Sequence, residues 1–236
     1  MFDIGDGWRR LARIVAIAWV IWAVVLTIAI GGLEPFVLIF AAVPLIAWGL
    51  TVWKPGRATY TIFGAVGLLV VVFNIPFLAE DLAHPESAFG FNTSASPLLT
   101  SLLMILVGVA AWRSFSERLA FRSFTVAAGV FVIGLGVSIV AALGLEDDVS
   151  ESGDVSLVAK EAEWETDTLS LSSPGGVFVE NNDPVRHTFT VDTLGIEVEL
   201  PANTARRVEI DAPAGTYEFI CSVPGHESMK GTITIG

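Results

Sequence analysis

Five apolar runs, none carrying a Lys, Arg, Asp or Glu, fill most of the first 144 residues: 14–31, 35–53, 60–79, 95–112 and 124–143. Each has the length needed to cross the hydrocarbon core of a bilayer as a helix, roughly 20 residues. They predict an α-helical transmembrane bundle of about five spans over residues 1–144. The basic residues set its orientation, because loops on the cytoplasmic side carry the excess of Lys and Arg. Arg9, Arg10 and Arg13 precede the first run, Lys54 and Arg57 lie between the second and third, and Arg113, Arg118 and Arg122 between the fourth and fifth. The alternate loops, 32–34 and 80–94, have none. The pattern predicts a cytoplasmic N-terminus and places residues after 144 on the outer face of the cell membrane. Trp8, Trp53 and Trp112 fall at the same expected cytoplasmic interface, and the first run, long for a signal sequence and without a small-x-small site at its end, reads as a retained anchor.

The bundle offers little chemistry of its own. It has no histidine within the runs, which removes bis-histidine haem, and no mid-span charge of the kind that marks an ion or proton path. Asn74, close to Pro76, reads as an interhelical hydrogen-bonding residue. Glu80, Asp81, His84 and Glu86 read as a solvated outer loop, which also holds an acceptor pattern for N-glycosylation at Asn92-Thr-Ser94. Anchoring in the lipid bilayer is the expected role of this half.

Composition then changes abruptly. Residues 145–236 hold 18 Asp and Glu against 5 Lys and Arg, a net of −13, so the acidity of the whole chain belongs to this part. Nucleic acid is not an expected partner, since its binding rests on neutralising phosphates with basic side chains. Residues 145–154 (LEDDVSESGD) are acidic and aperiodic and read as a flexible linker. Beyond them, short β-type runs at Val155–Ala159, Gly176–Glu180, His187–Val191, Ile196–Leu200, Arg206–Ile210, Tyr217–Cys221 and Thr232–Ile235 alternate with Gly, Pro and Asn turns. This pattern predicts a β-sandwich domain over residues 155–236.

Within it, one nine-residue stretch concentrates the reactive side chains: Cys221-Ser-Val-Pro-Gly-His226-Glu-Ser-Met229, with the only cysteine of the chain. His187 stands upstream in the alternating run His187-Thr-Phe-Thr-Val191. One thiolate, two imidazoles and a thioether form the ligand set of a mononuclear copper site: soft sulfur favours Cu(I), imidazole suits Cu(II), and the set serves both oxidation states. Strand alternation puts His187 on one face with Phe189 and Val191, and Cys221 on one face with Tyr217 and Phe219. The turn Val223-Pro224-Gly225 bends the chain so that His226 and Met229 return to the same point.

Residues 155–236 resemble a cupredoxin, the small blue (type 1) copper proteins of Greek-key fold related to plastocyanin, azurin and halocyanin. The resemblance rests on Asn181-Asn182 before His187, on Gly215-Thr-Tyr217 leading into Cys-x4-His-x2-Met, and on Lys230-Gly-Thr-Ile233. It implies one copper cycling between Cu(I) and Cu(II), with His187, Cys221 and His226 as equatorial ligands and Met229 axial. The His-to-Met interval is one residue shorter than in azurins, which bears on the axial bond and the potential. A dinuclear copper centre is rejected by the single sulfur. A closed four-ligand set leaves no position for a small-molecule substrate, so no enzymatic role is expected.

The resemblance implies one-electron transfer between membrane-associated redox partners such as a quinol-oxidising complex and a terminal oxidase or reductase. Electrons would pass through the edge of His226, inside a docking patch of Val223, Pro224 and Gly225. The alternatives are copper capture or delivery to a membrane oxidase, and a structural partner of a larger complex. The first disagrees with the scarcity of methionine, since only Met1 and Met104 accompany Met229.

Overall fold

The computed structural model describes residues 3–30, 32, 35–113 and 115–236. Met1, Gly31 at the end of the first apolar run, and Leu33 and Glu34 of the first loop lie outside the described residues. Two compact units divide the chain, one made of residues 1–82 and 92–136, the other of 83–91 and 137–236.

Five helices appear among the described residues: α1 (Asp6–Ile30), α2 (Pro35–Trp53), α3 (Arg57–Ala83), α4 (Ala88–Ala110) and α5 (Glu117–Leu143). All but α2, the shortest, are long and apolar enough to cross a membrane. Trp8, Leu11, Ala12, Val15 and Trp19 of α1 recur at helical spacing and are buried, while Ile17, Ile21, Val24 and Ile28 on the other side are exposed. α3 and α4 meet through small residues. A Cβ on Gly64 would lie 2.8 Å from the Gly108 Cα, and one on Gly67 2.7 Å from the Ser101 carbonyl oxygen, so only glycine allows this approach.

Several details differ from the sequence expectations. The segment 80–94 is mostly helical, not a loop, because α3 continues to Ala83 and α4 begins at Ala88. Some of its polar groups find partners: Ser94 Oγ donates to the Asp81 carboxylate, His84 Nδ1 lies 2.8 Å from Glu86 Oε1, and the Thr93 carbonyl accepts from Trp22 Nε1 (2.9 Å). Asn74 bonds within its own helix, Nδ2 donating to the Val70 carbonyl (2.7 Å), and not across to a neighbour. Trp8 is a core residue at 1% exposure, with Nε1 donating to the Phe115 carbonyl, whereas Trp53 and Trp112 are exposed as interface anchors would be.

The second unit contains nine strands: β1 (Val155–Lys160), β2 (Glu163–Trp164), β3 (Thr168–Leu171), β4 (Gly175–Asn181), β5 (His187–Val191), β6 (Ile196–Leu200), β7 (Ala205–Ile210), β8 (Gly215–Ile220) and β9 (Lys230–Ile235). They form a four-stranded sheet in the order β2-β1-β4-β7 and a five-stranded sheet in the order β3-β9-β8-β5-β6. β1 runs parallel to β4 and β3 parallel to β9; the other neighbours are antiparallel. Alternate side chains of both sheets fill one core. Leu157, Val177, Val179, Val208 and Ile210 come from the first sheet, and Phe189, Val191, Leu200, Phe219, Ile233 and Ile235 from the second. The expected Greek-key sandwich is therefore present, with β2 and β3 added to the seven anticipated strands.

In residues 145–154, expected to be a flexible linker, Glu146, Asp147, Asp148 and Asp154 bond to the edge strand β7. Ala205 N–H donates to Asp147 Oδ1 (2.9 Å) and Arg207 N–H to Asp148 Oδ2 (2.9 Å), while Asp148 N–H donates to the Ala205 carbonyl (3.2 Å). Arg207 also makes a two-point contact with Asp154 (2.9 and 3.1 Å). An edge strand leaves backbone groups without partners, and here acidic side chains supply them.

Candidate metal centre

The site forms where β5 and β8 separate. Their paired register is limited to Thr190↔Ile220, and beyond it a threonine side chain replaces the backbone ladder. Ser222 N–H donates to Thr188 Oγ1 (2.8 Å), Thr188 Oγ1 lies 3.0 Å from Ser222 Oγ, and Thr188 N–H donates to Cys221 Sγ (3.4 Å). The sulfur is thus fixed to the first residue after His187 before any metal is considered.

The loop after β8 then turns back. His226 N–H donates to the Val223 carbonyl (3.0 Å), Gly225 takes φ +92°, which glycine adopts freely, and Met229 N–H donates to the His226 carbonyl (2.9 Å). Cys221 N–H donates to the Met229 carbonyl (2.9 Å) and closes the loop on itself. His187 is fully buried, Cys221 and Met229 are buried, and His226 is half-buried at the rim.

These constraints bring three of the four anticipated ligands together. His187 Nδ1 and His226 Nδ1 are 3.1 Å apart, and Cys221 Sγ lies 3.8 Å from the first and 3.6 Å from the second. An ion bonded to two imidazole nitrogens at about 2.0 Å and a thiolate at about 2.3 Å, in a trigonal plane, needs sulfur–nitrogen edges of about 3.7 Å. The triangle fits. Met229 is buried in one cluster with Cys221 and Ala159. Among the described residues this is the cluster of His, Cys and acidic side chains able to hold a metal ion.

Electrostatics suit a metal as well. Burial, with the neighbouring His187 in second place, pushes His226 down to about 4. Burial also pushes His187 below its ordinary value, against the pull of Asp183. Both rings are neutral near pH 7 and present lone pairs, as metal ligands must.

Two further residues shape the centre. Asp183 accepts from His187 Nε2–H (2.8 Å), and Trp164 stands with its ring 6.4 Å from the His187 ring and 5.9 Å from Phe219. Sequence reasoning missed both. Asp183 stands in Asn181-Asn-Asp-Pro184, whose residue types mark a turn and hide a ligand partner, and Trp164 lies in a two-residue strand with no periodicity to mark it.

Residues 134–235 match the family model of the cupredoxin-like domain. No curated protein sequence matches the chain. Similar solved structures include a Cu-containing nitrite reductase from Thermus scotoductus SA-01, with 23% identity and a TM-score of 0.31; the match covers 39% of this chain and 24% of that one. The chain therefore spans about a quarter of that enzyme's length. Amicyanin from Paracoccus versutus matches at 14% identity and a TM-score of 0.32, over 37% of this chain and 85% of its own. An oxidised mutant of amicyanin matches at 17% identity and a TM-score of 0.34, over 39% and 90%.

Proposed function

We propose that this cupredoxin-like domain holds one copper ion and passes single electrons between redox proteins at a membrane surface. The convergence of His187 Nδ1, His226 Nδ1 and Cys221 Sγ within 3.1–3.8 Å of one another carries the reading. Copper bound there supplies one-electron redox chemistry. The protein's part is to hold the ligands still: β5 fixes His187, the Thr188 contacts fix Cys221, and the closed loop fixes His226, so that little rearrangement accompanies a change of oxidation state. Met229, buried beside Cys221, would supply a thioether as the fourth ligand.

The half-buried His226 is the route by which electrons leave, and Val223, Pro224 and Gly225 form the surface on which a partner docks. Small, weakly held interfaces suit a carrier that must release its partner quickly. The surrounding domain is strongly acidic, which favours a basic partner. The apolar helices anchor the chain in the cell membrane, and the distribution of Arg and Lys puts the copper domain on the outer face, where a quinol-oxidising complex and a terminal oxidase or reductase would be reached.

A potentiometric titration of the copper-loaded full chain tests this reading. One reversible one-electron wave per chain is expected. Tight copper binding without reversible cycling would instead make the protein a copper-delivery factor. Protease added to intact cells is expected to cut residues after 144 and to leave the N-terminus whole; the reverse pattern would remove the outer-face assignment.

A further inference from the structure

The turn from β1 to β2 has two residues, Glu161 and Ala162, both at positive φ (57° and 56°). Two-residue hairpin turns favour that geometry but usually place Asn and Gly in it. A side chain with a Cβ is strained there. Both amides are gathered by one buried carboxylate: Glu161 N–H donates to Asp183 Oδ1 (2.7 Å) and Ala162 N–H to Asp183 Oδ2 (2.9 Å). The same Oδ2 accepts from His187 Nε2–H (2.8 Å). Asp183 is held in turn, its N–H donating to Asn181 Oδ1 (2.9 Å) and its carbonyl accepting from Asn203 N–H (3.1 Å). Asn181 Nδ2 is satisfied by the carbonyls of Val185, Leu200 and Pro201, each at 2.9 Å, so the loop from β4 to β5 has little freedom.

The geometry points to Asp183 as a positioning residue of the metal centre. Its carboxylate accepts a hydrogen bond from Nε2–H of His187, which keeps the proton on Nε2 and leaves the Nδ1 lone pair facing Cys221 and His226. It also ties that ring to the β1–β2 hairpin, whose Trp164 packs beside His187. A carboxylate behind a ligating histidine fixes its tautomer and strengthens it as a donor. The role in tuning copper rests on the function proposed above; the role in orienting the ring does not.

The test uses the full chain with 15N-labelled histidine, a simple spectrum because there are three such residues. In the copper-free wild type, His187 is expected as the Nε2–H tautomer alone. In Asp183→Ala it becomes a mixture of tautomers, and Cu(II) affinity falls about 10–100-fold. Asp183→Asn keeps the size and one acceptor oxygen but removes the charge. It is expected to keep the tautomer and bind copper with a raised reduction potential, because the negative charge favouring Cu(II) is gone. A His187 that stays in one tautomer in Asp183→Ala, or a potential unchanged in Asp183→Asn, would overturn the assignment. A wild type that takes up no copper would remove the proposed function, while the copper-free tautomer comparison would still decide whether Asp183 orients the ring.

Discussion

His187 and His226 offer the same ring nitrogen to the same point, yet the molecule holds them in opposite ways. His187 comes from a strand paired along its length with β6, His187 itself standing opposite Leu200, and the ring is buried with a carboxylate behind it. His226 comes from a loop secured by its own backbone, lies half-exposed, and has His187 and Cys221 beside its Nδ1. One half of the site is a rigid wall, built by non-local packing, and the other is a short closed loop at the surface. The difference suits a relay in which the ion must be fixed on one side and reachable on the other.

Replacing the two histidines is the strongest way to break the comparison. His187→Ala leaves Asp183 buried without its ring, so the copper-free domain is expected to lose about 2 kcal/mol as well as its metal. His226→Ala is expected to keep stability within about 1 kcal/mol of wild type and to regain copper binding when free imidazole fills the gap. Denaturation midpoints and copper titration with and without imidazole measure both. Equal destabilisation and equal rescue would erase the distinction.

Acid is a milder probe. The unfolded chain holds the His226 proton below its ordinary 6.5, but the folded chain only below about 4, because burial disfavours the charged ring. Protonation therefore favours unfolding between those values. The stability of the copper-free domain is full above about pH 6.5 and is lost as pH falls toward 4. His187 shifts in the same direction, also through burial. Urea midpoints at pH 7 and pH 4.5 report the loss, and His226→Gln is expected to make the dependence shallower.

Much of this arrangement was legible in the sequence, and the omissions have physical causes. His187, Phe189 and Val191 alternate with threonines in a strand that is buried throughout, and Tyr217, Phe219 and Cys221 alternate with more exposed neighbours, so the strands that deliver the ligands could be read directly. Cys221-x4-His226-x2-Met229 named the loop because its residues are close in sequence. β3 escaped notice because its partner is β9, more than 60 residues later, through a parallel pairing that no local pattern announces. The β1–β2 turn lacks the Asn or Gly that would have marked it; a distant carboxylate holds it instead. Asp183 and Trp164 are visible as metal-site residues only after β4 and β5 have been folded against that turn. The place of Trp8 before an apolar run reads as an interface anchor, but its 3.6-residue spacing with Leu11, Val15 and Trp19 points inward.

The smallest expected effect is at the axial position. Met229 is 1% exposed and packs against Cys221, so Met229→Leu conserves volume and is expected to cost less than about 1.5 kcal/mol. Copper is retained and the potential rises, since a lower coordination number favours Cu(I). A drop in copper affinity comparable to that of His187→Ala would give Met229 a larger share of the site.

The central claim is that Cys221, with the two imidazoles, binds a single redox-active copper through its sulfur. The visible spectrum of the Cu(II)-loaded full chain, compared with that of Cys221→Ser, tests it most directly. An intense thiolate-to-copper charge-transfer band is expected in the wild type, saturating at one copper per chain and absent in Cys221→Ser. A wild type without that band, or a band that survives in Cys221→Ser, would contradict the account.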